Sequence, residues 1–135
     1  MKRIALTILS LLAAVGLTFG TAFAFNQADF QKLKTTGNCA DCDLSGVLLI
    51  HWKLAGADLS GTDLSGANLT ESWLAGANLS GANLSNAILT GASLAGANLR
   101  GTRLSGANLL FTNISGATWV DGSRCERDSS GSCRR

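Results

Sequence analysis

The chain has 135 residues, of which 15% are charged, and it contains 16 glycines but no proline or tyrosine. This length predicts a single domain. Eleven basic and nine acidic residues give a formal net charge of +2, but Lys2 and Arg3 lie in the N-terminal segment, so nine of each remain beyond residue 24. A neutral chain lacks the strong field that draws proteins to nucleic acid or anionic membranes, and we expect neither as a partner.

Residues 1–24 have the three parts of a secretory signal peptide. Lys2 and Arg3 form a basic start, an apolar stretch follows, and Ala22 and Ala24 fit the small residues of a cleavage site before Phe25. The alternative is an uncleaved anchor, since the uncharged segment from residue 4 to residue 25 is long enough to cross a bilayer. Both interpretations predict export to the periplasm or the extracellular space. Contact with a membrane is expected only if the segment is retained.

A period of five residues dominates the rest of the chain. Sixteen successive positions, stepping by five from Leu44 to Trp119, are all large and apolar, and fourteen of them are leucine. The residue two before each is usually small, most often alanine, and the residue two after it is usually glycine. The unit reads A-(N/D)-L-(S/A/T)-G, and it covers residues 42–121.

Neither regular helix nor regular strand accommodates this period. At 100° per residue, a step of five spreads the leucines around a helix instead of forming a stripe. In a strand, an odd period moves the leucine to the opposite face at every repeat. A square coil satisfies the pattern: each unit forms one side, the leucine and the small residue two before it point inward, and glycine turns the corner. Four units close one coil, so sixteen units predict about four coils.

This tandem A(D/N)LXX pattern resembles the signature of pentapeptide-repeat proteins, most clearly in residues 77–85, which read ANLSGANLS. The resemblance implies an all-β fold, the right-handed quadrilateral parallel β-helix of that family. Some members of the family resemble DNA and bind gyrase. They are cytoplasmic, acidic and longer, so export and weak charge disfavour that function here.

The flanking segments are predicted to cover the two open ends of the solenoid. Residues 25–41 form the N-terminal cap, with a short helix over residues 26–34 that begins at Asn26 or Asp29 and places Phe30 and Leu33 on one face. Residues 122–135 form the C-terminal cap and tail. Trp119 takes the last inward position, where its ring is expected to plug the coil.

The four cysteines predict structural disulfides in an exported chain. Cys39 and Cys42 precede the first coil, whereas Cys125 and Cys133 follow the last one. Four stacked coils separate the ends by roughly 19 Å, and a disulfide requires Cα atoms within about 7 Å. Local pairs, Cys39–Cys42 and Cys125–Cys133, are therefore expected. A thiol redox role or a metal site at Cys39 and Cys42 remains an alternative, although no βαβ context and no second CxxC support either.

One side of the coil breaks the polar pattern of outward residues. Two further apolar residues, Trp52 and Trp73, lie on the adjoining side or its corner. We interpret these residues together as a candidate surface for a protein partner or for self-association, because large exposed apolar patches mark interfaces. The alternatives are packing of these residues on the end caps and an error in the register. The candidate residues are Leu48, Ile50, Trp52, Trp73, Ile88, Leu110 and Phe111.

No catalytic constellation is visible. His51 is the sole histidine, no serine lies in a nucleophile elbow, and the glycines are not followed by Lys-Ser or Lys-Thr in P-loop spacing. The sequence predicts no enzyme, no cofactor and no metal. It favours an exported structural or protein-interaction scaffold whose partner it does not name.

Overall fold

A computed structural model describes residues 25–135, so the expected signal segment, residues 1–24, lies outside the described residues. Within the described range, one helix, α1 (Gln27–Thr36), precedes a long run of turns joined by single-residue β-bridges, with no longer strand. None of the described helical residues forms a span that is both long and apolar enough to cross a membrane.

Helix α1 begins and ends at residues suited to those positions. The Asn26 side chain accepts hydrogen bonds from the backbone N–H groups of Ala28 and Asp29, and Gly37 takes the left-handed conformation that ends the helix. Of the two predicted N-caps, the structure therefore uses Asn26. Leu33 is buried beneath the first coil, so the helix closes part of the N-terminal end of the core.

Four columns of parallel bridges define the coil. Side 1 joins residues 43, 63, 83 and 103; side 2 joins 48, 68, 88 and 108; side 3 joins 53, 73, 93 and 113; and side 4 joins 58, 78, 98 and 118. Bridged residues are twenty apart, so four five-residue units make one turn. The first to fourth coils are residues 42–61, 62–81, 82–101 and 102–121. This is the four-sided arrangement expected from the period; its right hand stays an expectation from the family resemblance.

The same backbone pattern repeats on each side. On side 1, for example, the Leu64 N–H donates to the Asn83 carbonyl over 2.8 Å, and the Asn83 N–H donates to the Thr62 carbonyl over 3.0 Å. Neighbouring coils thus satisfy each other's backbone N–H and carbonyl groups. The core consists of stacked leucines and the small residues two before them.

Some inward positions that usually hold a small residue hold threonine instead. These threonines are buried, and their hydroxyls are hydrogen-bonded. Thr102 donates to the Leu79 carbonyl and Thr112 donates to the Leu89 carbonyl, each over 2.8 Å. A buried hydroxyl that lacks a partner costs free energy. These bonds explain why the repeat tolerates threonine where alanine is most frequent.

The C-terminal tail folds back over half of the last coil. After Gly122 the chain runs antiparallel to the coil beneath it, with bridges between Thr118 and Arg124 on side 4 and between Asn113 and Ser130 on side 3. Trp119 is half-buried and packs against the core at this end. The tail strand lies over sides 3 and 4.

Candidate interaction surface

Sides 1 and 4 are polar and regular. On side 4, the Asn78 amide donates to Asp58 and the Asn98 amide donates to Asn78, each over 3.3 Å. Hydrogen bonds from the Ser60 hydroxyl and the Ser60 backbone N–H lower the pKa of the Asp58 carboxyl. Because these groups bond along the column, the side presents a satisfied polar face to solvent.

Side 2, the corner that it shares with side 3, and position 73 of side 3 carry large apolar side chains in contact with solvent. The exposed fractions are 68% for Leu48, 42% for Ile50, 60% for Trp73, 39% for Ile88, 55% for Leu110 and 72% for Phe111. Leu48 and Ile88 are outward residues of the side 2 column. Six of the seven residues predicted to form the patch are thus exposed in the folded chain, and the end caps do not cover them.

Trp52 differs from the other six. It occupies an inward position meant for a small residue, and it is half-buried. Its ring lies 5.6 Å from the Phe30 ring of α1, and Phe30 in turn lies 5.2 Å from Phe25. The Lys34 ammonium sits 5.5 Å from the centre of the Phe30 ring. Trp52 therefore belongs to the packing of the N-terminal cap and contributes only its remaining surface to the patch.

The corner between sides 2 and 3 is conformationally unusual. His51, Glu71 and Phe111 occupy it with φ of 59°, 53° and 58°, a region that disfavours residues with a Cβ. His51 Nδ1 lies 3.3 Å from a Glu71 carboxylate oxygen, and both side chains are largely exposed. Strained backbone conformations are often found at functional sites. This corner is therefore a candidate part of the interaction surface.

The cysteines are paired locally in the structure. The sulfur atoms of Cys39 and Cys42 are 2.05 Å apart, and those of Cys125 and Cys133 are 2.01 Å apart. Cys39 and Cys42 are buried at the N-terminal end, where they pack with the core. Their burial restricts the access that thiol exchange requires.

The described residues contain no group of three or more metal-ligating side chains. Within the same range, every buried side-chain nitrogen or oxygen has a hydrogen-bond partner. The part of the chain that the structure describes therefore offers an exposed apolar surface as its most distinctive feature.

Three inward residues of the last coil are less buried than the repeat pattern predicts. Leu104, Ala107 and Leu109 occupy inward positions, yet they are only half-buried, because the tail does not reach sides 1 and 2. The repeat itself carries no signal for this exposure, because it depends on the path that the tail takes over the last coil.

Comparison with known proteins supports the repeat. The pentapeptide-repeat family model matches residues 42–81 and 82–118 in 8 copies. HetL, a pentapeptide repeat protein involved in heterocyst differentiation regulation in the cyanobacterium Nostoc sp. strain PCC 7120, is 38% identical with a TM-score of 0.62; the match covers 64% of this chain and 40% of HetL. This chain thus spans less than half the length of HetL.

Two further solved structures are more distant in shape. The pentapeptide repeat protein alr5209 of Nostoc is 35% identical with a TM-score of 0.41, over 64% of this chain and 78% of that one. QnrB1, a plasmid-mediated fluoroquinolone resistance protein, is 20% identical with a TM-score of 0.43, over 70% of this chain and 55% of that one. No curated protein matches the chain. Since the family model matches more than half of its residues, the chain belongs to the pentapeptide-repeat family.

Proposed function

We propose that this chain is an exported, non-catalytic scaffold that binds a protein partner through side 2 and its adjoining corner. The observation that carries the proposal is the set of large apolar side chains exposed on side 2, at its corner with side 3, and at Trp73 of side 3. Large apolar side chains that a folded protein exposes together often serve as an interface. The regular hydrogen bonding between coils also supports it, since a preformed surface loses little conformational entropy on binding.

Export is supported by the N-terminal sequence and by the cysteines. Residues 1–24 fit a signal peptide, and local disulfides are typical of exported proteins. The proposed location is the periplasm or the extracellular space.

Site-specific photo-cross-linking in the native host tests the binding surface. We would express the full chain with a photoreactive residue in place of Ile88, at the middle of side 2. The matched control carries it in place of Asn98, at the same height on polar side 4. We expect a cross-linked protein product at position 88 and none at position 98. Equal products at both positions, or none at either, would contradict the proposal.

Mass spectrometry of the same exported protein tests the location and the cleavage site. A mature form that begins at Phe25 is expected in the envelope or the medium, with no free thiols. Retention of the full chain in the cytoplasm with four titratable thiols would overturn the exported assignment.

A further inference from the structure

Side 2 differs from the other three sides in the charge of its outward positions, the residues just before and just after each inward residue. From residue 48 to residue 110, the outward positions of side 2 carry no charged side chain. The other sides each carry at least one, for example Asp43 on side 1, Lys53 on side 3 and Asp58 on side 4. The polar groups of side 2 also bond to one another, since the Thr70 hydroxyl donates to the Asn68 side chain over 2.6 Å. Covering side 2 therefore takes no charge out of water.

The exposed apolar side chains of side 2 lie near both ends of the rod. Ile50 in the first coil and Leu110 in the fourth coil directly precede the corner shared with side 3, and both are exposed. Phe111 occupies that corner in the fourth coil, and Ile88 lies between the two ends. A partner that covers the whole side must therefore be apolar at two heights, three coil spacings or roughly 14 Å apart. A second copy of this chain presents apolar side chains at the same spacing.

Two copies can pair side 2 against side 2 about either of two axes. A two-fold axis perpendicular to the rods makes them antiparallel, with the first coil of each copy facing the fourth coil of the other. Ile50 and Leu110 hold the same place in their units, so position 50 of each copy then faces position 110 of the other. A two-fold axis parallel to the rods instead sets the apolar corner against the corner between sides 1 and 2, where Gly46, Gly66 and Gly106 lie. Of the two axes, the perpendicular one joins the apolar residues of both copies.

One acidic residue, Glu71, lies at the rim of the paired surfaces. A Cβ on Gly91 meets the Glu71 side chain at 3.2 Å, so this side chain extends from the second coil toward the third. The perpendicular axis passes between these two coils, and it therefore brings the Glu71 side chains of the two copies toward each other. The repulsion between them is small, because the Glu71 side chain is largely exposed to solvent.

We infer that the partner of side 2 is a second copy of this chain, packed side by side and antiparallel. This inference rests on the proposed function and names the partner of the same surface. The contact is isologous, so it closes as a dimer and does not extend into longer assemblies. Four coils make a face only roughly 19 Å tall, which places the contact at the low end of interface sizes, below about 1,200 Å². A dimer that dissociates on dilution is therefore expected.

Sedimentation of the protein purified after export of the full chain tests the dimer. Ile50→Lys and Leu110→Glu each set an unpaired charge against an apolar side chain at two symmetric contacts, and each should weaken association by about tenfold or more. Ser60→Lys is the matched control, because it changes the same place in the unit, in the same coil, on polar side 4. We expect it to dimerise as the wild type does. Glu71→Gln should strengthen the dimer by up to about fivefold, the scale of one exposed charge pair.

Mixing Ile50→Lys with Leu110→Glu tests the antiparallel pairing. In a mixed dimer, the introduced lysine faces the introduced glutamate at one contact, and the original isoleucine faces the original leucine at the other. We therefore expect the two variants, each mainly monomeric alone, to form a one-to-one dimer when mixed. A parallel pair does not bring positions 50 and 110 together, so a mixture that stays monomeric would overturn the arrangement.

The mass of the product cross-linked at position 88 separates this inference from the proposed function. A product of twice the mass of the chain supports a second copy as the partner. A cross-link to a different protein, with a wild type that stays monomeric up to about 1 mM, where even a Kd of about 1 mM populates a dimer, would overturn this inference and leave the proposed function intact. The absence of any product at position 88 would contradict both.

Discussion

The third and fourth coils follow the same five-residue pattern but differ in how much of their inward surface they bury. Leu84 and Leu89 of the third coil are completely buried, whereas Leu104 and Leu109, one coil further along the same columns, are half-buried. The difference arises from what lies above each leucine. In a solenoid, burial is a property of the neighbouring repeat as much as of the residue itself.

Within the fourth coil the same contrast divides one half from the other. Ile114 and Ala117, beneath the tail, are buried, whereas Ala107, which the described tail residues do not cover, is half-buried. The tail thus acts as a partial fifth coil over sides 3 and 4. The open half is where a further layer of backbone would find both hydrogen-bonding groups and apolar surface.

The largest expected effect compares one leucine column at two heights. We expect Leu84→Asp to prevent folding, because it removes about 1.5–3 kcal/mol of apolar burial and places a carboxyl in the core, at a cost of several kcal/mol. Small domains have only about 5–15 kcal/mol of stability. Leu104→Asp is expected to fold, since its carboxyl reaches solvent through the open half.

Circular dichroism and resistance to protease check this pair of variants. A soluble, protease-resistant Leu84→Asp protein would contradict the buried column. A Leu104→Asp protein as unfolded as Leu84→Asp would mean that the end of the rod is closed in solution, either by a partner or by a second copy.

A smaller effect is expected when the tail is released from its disulfide. The double variant Cys125→Ser with Cys133→Ser should lose about 2–3 kcal/mol of stability, the range for a short disulfide loop. We expect hydrogen exchange at the Ile114 and Trp119 amides to accelerate, because the tail is their hydrogen-bond partner.

The matched control is the double variant Cys39→Ser with Cys42→Ser, at the other end of the rod. It should lower stability without accelerating exchange at Ile114 and Trp119. Unchanged exchange at these two amides after removal of Cys125 and Cys133 would show that the tail holds sides 3 and 4 without the disulfide.

The central fold was predictable from sequence for a specific physical reason. A period of five with an apolar residue in every unit is incompatible with helix and with extended strand, so the leucines from Leu44 to Leu99 determine a four-sided coil and their own burial. The position of α1 was predictable in outline as well, because Asn26 is a favourable cap before a helical apolar pair.

The ends were less predictable because they depend on contacts outside the repeat. The pattern treats Leu104 and Trp119 as core residues equal to Leu84, and nothing local in the sequence indicates that the tail runs back over only two sides. Trp52 illustrates the same limit. Its size predicts that it does not point fully inward, but its contact with Phe30 depends on where α1 packs.

The smallest expected effect compares two residues stacked at the same corner. Phe111 adopts φ 58°, and Gly91, one coil below, adopts φ 67°. The left-handed conformation costs a residue with a Cβ roughly 1–2 kcal/mol, and glycine recovers this cost less its own entropy loss of about 0.5–1 kcal/mol. Because Phe111 is largely exposed, Phe111→Gly should raise the free energy of unfolding by about 0.5–1 kcal/mol in urea titrations. Gly91→Phe should lower it by more, since a Cβ there meets the Glu71 side chain at 3.2 Å.

A stabilised Phe111→Gly protein that associates less well than the wild type would show that the chain keeps a strained aromatic residue beside its open end for binding. A destabilised one would instead make Phe111 part of the packing of the last coil.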